Sequence, residues 1–102
     1  MTELPTPVTR YLDQPAIDQF TDDAVVTDEG RTHVGRDAVA AWLARSASEW
    51  TFTTTFTGAT RDDDDHVTVT QHLEGDFPGG VVDLAYRFTL RGELIAGLHI
   101  AP

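Results

Sequence analysis

Cysteine and lysine are both absent, and methionine occurs once. Without cysteine there is no disulfide framework and no thiolate metal site. Without lysine, the seven basic residues are all arginine, set against seventeen acidic ones, for a formal net charge of −10. Such a charge repels phosphate backbones and anionic lipid, which argues against nucleic acid and membrane surfaces as partners. No apolar run approaches the roughly 20 residues a membrane helix needs. The opening MTELPTPVTR lacks the apolar segment of a secretory leader, so the cytoplasm is the expected location. Glycine and proline are too few, and apolar residues at 40% too many, for a disordered or fibrous chain. The 102 residues are the length of one domain with one core, expected over 1–102.

Hydrophobic spacing then divides the chain. Residues 1–7, with Pro5 and Pro7, read as an arm. Val8, Tyr11 and Leu12 follow helical spacing over about Thr6–Gln14, with Thr6 as N-cap and Pro7 opening the helix. Pro15 ends it, and residues 16–20 suit one further turn. Ala24–Thr27 and Arg31–Val34 flank Asp28-Glu29-Gly30 as a small hairpin. Val39, Trp42, Leu43 and Ser46 define a helix over about 36–48.

From Trp50 the period becomes two, and Trp50, Phe52, Thr54 and Phe56 share one strand face. Residues 58–65, with Asp62–Asp65, read as a solvated turn without the spacing of a calcium loop. His66–Gly75 places Val67, Val69, Gln71 and Leu73 on one face and His66, Thr68, Thr70, His72 and Glu74 on the other. Val81–Leu90 aligns Val82, Leu84, Tyr86, Phe88 and Leu90. Leu94–Ile100 closes the chain, with His99 opposite Leu98 and Ile100. Helices gathered on one face of a long antiparallel meander give an α+β domain, its twisted sheet curled around a helix.

Three segments, FTDDAVVTDEG from Phe20, HVGRDAVAAW from His33 and GDFPGGVVDLAYRFTL from Gly75, resemble the SnoaL-like branch of the nuclear-transport-factor-2-like superfamily. Its members include ketosteroid isomerase, polyketide cyclases, dehydratases and non-catalytic binding domains. The resemblance covers about residues 8–100 and implies a cone-shaped, cystatin-like fold, a curved antiparallel sheet around N-terminal helices with a pocket at the open end. Relatives place two substantial helices between the position of Tyr11 and the DDAVV segment. Here only residues 12–21 lie between, so the wall is expected to be thin and the pocket open, shallow or closed by a partner chain.

The resemblance puts Asp28 on the isomerase's general base and Tyr11 on the tyrosine that donates to the substrate oxygen. A carboxylate bordering an apolar pocket suits proton abstraction beside a carbonyl. The turn offers Asp28 another role, bonding the backbone of Gly30. Tyr11 equally suits packing against the sheet. The isomerase's second donor, an aspartate, falls on Leu84, and Asp83 beside it faces away, which argues against ketosteroid isomerisation itself. Tyr86 shares Leu84's face as a substitute donor. His33 is a candidate partner for Asp28 across the hairpin. Trp42, Phe52, Phe56, Gln71, Leu84 and Leu98 are the expected pocket lining, with Gln71 either orienting a ligand or lying where its strand leaves the core. No metal motif is present and no cofactor is expected.

The resulting expectation is a small-molecule-binding domain for a hydrophobic compound, dimeric through the histidine- and threonine-bearing outer sheet face. One alternative is a cofactor-free isomerase or cyclase using Asp28 as base on a hydrophobic carbonyl compound. Another is a dimeric scaffold without a working pocket.

Overall fold

The computed structural model describes residues 4–102; of the expected arm, residues 1–3 lie outside the described residues. In chain order the elements are α1 (Thr6–Asp13), a 3-10 turn (Ile17–Gln19), β1 (Phe20–Asp28), β2 (Arg31–Val34), α2 (Arg36–Ser48), β3 (Phe52–Arg61), β4 (His66–Gly75), β5 (Val81–Arg91) and β6 (Leu94–Ala101).

Pro5, rather than Thr6, occupies the cap of α1, and its carbonyl accepts the N–H groups of Val8 (3.0 Å) and Thr9 (3.1 Å). Pro7 then costs no helical bond, because the first N–H groups of a helix have no partner inside it. The helix ends where Gln14 turns extended before Pro15. The residual turn expected at 16–20 is the 3-10 turn, closed by the Gln19 side chain accepting the Ala16 N–H at 3.1 Å. Gly35, at φ +89°, enters α2, a conformation that disfavours residues with a side chain.

All six strands form one sheet in the order β2-β1-β6-β5-β4-β3. The pairs are antiparallel except β1–β6, which run parallel from Phe20 opposite Ile95 to Asp28 opposite Ile100. This corrects the wholly antiparallel expectation: the last strand of the meander returns to the first hairpin and seats beside β1, joining the two halves of the chain. β1 also starts at Phe20, four residues before the expected Ala24. Its exposed Asp22 and Asp23, poor strand residues, are held by Arg36 at 2.9 Å and Arg91 at 3.0 Å. β3 runs on past Thr57 to Arg61 through an irregularity between Phe56 and Gly58.

Both helices lie on the concave face. Tyr11 of α1 meets Phe20 and Phe88 edge-on, at ring separations of 6.2 and 5.3 Å. The core gathers there with Val8, Val26, Val39, Val67, Val69 and Ile95. α2 rests on β1 and β2, and α1 on β6. No residue of β3 is fully buried, so the concavity stays open along that edge.

Candidate functional site

The hairpin β1–β2 sets the first component of the site. Asp28 and Arg31 pair across a two-residue loop in which Glu29 (φ +54°) and Gly30 (φ +75°) both take the left-handed conformation. Successive positive φ angles are what a tight antiparallel hairpin requires, so the backbone makes the turn without help from the aspartate side chain. The Asp28 carboxylate instead points inward, and its Oδ2 accepts a hydrogen bond from Trp42 Nε1 at 3.1 Å. The half-buried carboxylate is thereby fixed between β1 and α2. The alternative turn role of Asp28 is not adopted: no bond joins its side chain to Gly30.

Around this pair opens a hollow of about 1320 Å³, bordered by α1, α2 and the concave side of the sheet. Tyr11, Asp28, His33, Trp42, Phe52, Phe56, Gln71, Leu84 and Tyr86 all line it, so nine sequence-predicted residues meet in one space. Leu98 does not. It sits opposite Val26 and Phe88 in the core, and Ile100, two residues on, borders the hollow in its place. Phe52 and Phe56 stand at the open side, 40% and 51% exposed, where no helix covers β3.

His33 faces inward opposite Val26, its ring 6.4 Å from that of Trp42. No hydrogen bond joins His33 to Asp28 among the described residues; the indole takes that place. Gln71, only 9% exposed, shares the face of Val69 and Leu73 and lies near enough to Tyr86 to influence its hydroxyl. The strand stays in the core on either side of it. Asp83 faces the opposite side of the sheet, where its Oδ1 lies 2.7 Å from Nδ1 of His72.

Both tyrosines are held protonated. Burial, then the negative charge of Asp28, pushes Tyr86 up to about 12, against a weaker opposing effect of the Gln71 side chain. Burial, then the neighbouring Tyr86 and Asp28, raises Tyr11 well above the ordinary phenol range. The hollow thus brings the Asp28 carboxylate, anchored on one oxygen, together with two phenol donors. No group of three or more metal-ligating side chains occurs among the described residues. Nor is any described helix long and apolar enough to cross a membrane.

Sequence reasoning passed over Arg31 and Arg45, which also border the hollow. The tight DEGR hairpin could have revealed Arg31, since a two-residue loop places it directly across from Asp28.

Comparison with known proteins agrees with this fold. A family model for the SnoaL-like domain matches residues 12–98. The crystal structure of a protein assigned as a polyketide cyclase from Sinorhizobium meliloti superposes with a TM-score of 0.88 at 32% identity, over 96% of this chain and 95% of that one. A ketosteroid isomerase-like fold from Catenulispora acidiphila, solved with trimethylamine, superposes with a TM-score of 0.83 at 25% identity, over 98% and 87% of the two chains. A SnoaL-like protein from Jannaschia, 16% identical over 99% of this chain and 90% of that one, shares the fold with a TM-score of 0.78. No curated protein matches the chain significantly. The curved six-stranded sheet, the helices in its concavity and the matched residues together make this chain a SnoaL-like domain of the nuclear-transport-factor-2-like superfamily.

Proposed function

We propose that this domain binds a planar hydrophobic carbonyl compound in the hollow and moves a proton on it, with Asp28 as base and Tyr86 and Tyr11 as donors to the carbonyl oxygen. The observation that carries this reading is the Asp28–Trp42 hydrogen bond at 3.1 Å, which aims a carboxylate into the same space as two protonated phenols. Oδ2 is engaged by the indole, and Oδ1 takes no hydrogen bond from any described residue. Oδ1 is thus the oxygen available to a C–H beside the carbonyl. The polyketide cyclase name of the Sinorhizobium relative fits a carbonyl-bearing substrate.

The charges cooperate. In the resting site the Asp28 carboxylate is one reason the phenols hold their protons. When Asp28 accepts a proton its charge disappears, while negative charge develops on the carbonyl oxygen. Tyr86 and Tyr11 become stronger hydrogen-bond donors at that same step, which is the differential interaction that lowers a barrier. Leu84, in the place where the isomerase carries a carboxylic acid, supplies no donor, so the two tyrosines bear that task alone.

The outer sheet face, with His72, His99, Thr27 and Ala85, is proposed as the homodimer contact. The test of function is proton–deuterium exchange at the carbon beside the carbonyl of 2-tetralone, followed by NMR in heavy water. The wild-type chain is expected to accelerate it over buffer, and Asp28→Asn to lose about a hundredfold or more of that acceleration. Binding of 2-tetralone without any acceleration would favour the second reading, a carrier domain that holds its ligand unchanged.

A further inference from the structure

Arginine is the only permanent cation in this chain, and its placement is selective. Arg36 is committed to structure, donating to the Phe20 carbonyl at 2.7 Å and to Asp22 at 2.9 Å. Arg91 is committed to Asp23 at 3.0 Å. Among the arginines without a carboxylate within 4.0 Å in the described residues, Arg31 and Arg45 are the two that line the hollow. Both guanidinium-bearing residues are exposed at its mouth.

Their positions are tied to the reactive pair. Arg31 is the cross-strand partner of Asp28. Arg45 lies three residues beyond Trp42 on α2, hence about 4.5 Å further along the same side of the helix. Each arginine is thus a neighbour of one partner of the Asp28–Trp42 hydrogen bond, Arg31 on the strand and Arg45 on the helix. Glu29 and Glu49 border the same mouth, yet neither lies within 4.0 Å of a guanidinium. In a chain of net charge −10, two cations left without a carboxylate beside the site have unused capacity for an anion. A planar guanidinium matches a carboxylate in two parallel hydrogen bonds, a geometry with more specificity than a point charge.

We infer that the ligand is a hydrophobic acid: its ring system enters against Trp42, Leu84 and Phe56, while a carboxylate stays at the mouth between Arg31 and Arg45. The inference rests on the hollow being a ligand site, as proposed above, and adds the charge class of the ligand. The anchored carboxylate sets how deep the ring sits, so Arg31 and Arg45 act as specificity and positioning residues for the atom presented to Asp28.

The test is calorimetric titration with three probes of one shape, 2-naphthoate, 2-naphthamide and 2-naphthylmethylammonium. Wild type is expected to bind 2-naphthoate at least about tenfold more tightly than 2-naphthamide. In the R31Q/R45Q variant that ratio is expected to fall to within about twofold of unity. Equal binding of naphthoate and naphthamide by wild type overturns the inference and leaves the hollow as a ligand site. Preference for the ammonium probe overturns it too, with Asp28, Glu29 and Glu49 then governing recognition. A ratio unchanged in the variant removes the arginines from it. Failure of all three probes to bind defeats the ligand-site reading along with the inference.

Discussion

Trp42 and Asp28 are joined by a hydrogen bond of 3.1 Å from the indole Nε1 to the carboxylate Oδ2. Fourteen residues separate them in sequence. The contact fastens α2 to the end of β1, so one interaction serves both the roof of the hollow and the aim of its base. Trp42→Phe keeps most of the packing and deletes the donor. It is expected to cost roughly 2–4 kcal/mol of stability, because a charged acceptor loses its partner and the smaller ring leaves space. Urea unfolding of Trp42→Phe, Asp28→Ala and the double variant should give a coupling energy of about 1 kcal/mol or more. Strict additivity would mean that the bond carries no energy.

The two tyrosines make an alkaline signature. Their folded pKa values lie above the ordinary value of 10.0, so the fold favours the protonated phenols. Stability from this source is complete below about 10 and is lost as pH rises towards and through about 12, the value for Tyr86. Ultraviolet titration should show little phenolate in the native chain at a pH where the unfolded chain is fully ionised. Asp28→Asn removes the charge that raises Tyr86, and its titration should then move down.

His72 reports on the opposite face of the sheet. Its hydrogen bond with Asp83 at 2.7 Å raises its pKa above 6.5, opposed by partial desolvation and helped by the charges of Asp83 and Glu74. A raised histidine stabilises the fold fully below the unfolded value of 6.5, and that contribution disappears as pH rises through the folded value. NMR titration of the imidazole should place it above the ordinary range in wild type and return it towards 6.5 in Asp83→Asn. An unchanged midpoint in the variant would rule out the pair in solution.

Self-association of the outer sheet face is expected to bury roughly 1,200 Å² or more in a symmetric contact. Light scattering should then report twice the 11.2 kDa chain mass at micromolar concentration. Ala85→Arg places a charge at an outward position of β5, between Thr70 and Ala101, and should shift the population to monomer. A wild-type chain that is monomeric throughout would dismiss the contact.

Much of this architecture was legible because local periodicity carries it. The alternation in β4 separated Gln71 from His72, and the structure sends one into the hollow and the other to the outer face. The DEG loop announced its hairpin, and the helix at Arg36–Ser48 matched its expected span. What remained hidden depends on partners far apart in sequence. The start of β1 is masked by Asp22 and Asp23, whose charges are satisfied only by Arg36 and Arg91 in the folded chain. Period-two spacing identifies a face but not a depth along it. That is why the spacing points Leu98 into the pocket, although it lies in the core and the hollow is reached from Ile100 onward. The Trp42–Asp28 bond could not be read either, since it depends on how α2 crosses β1.

The parallel seam between β1 and β6 has a bearing on how the chain is made. β1 precedes the rest of the sheet in the chain, but its neighbour on that side is β6, Leu94–Ala101. Asp28 can be locked beside Ile100, and β5 brought into register with β6, only after β6 itself has been synthesised. Such distant pairing carries a large loop-closure cost, so it belongs late in folding. The carboxylate of β1 and the phenol of β5 are therefore brought together only once β6 is in place between those two strands.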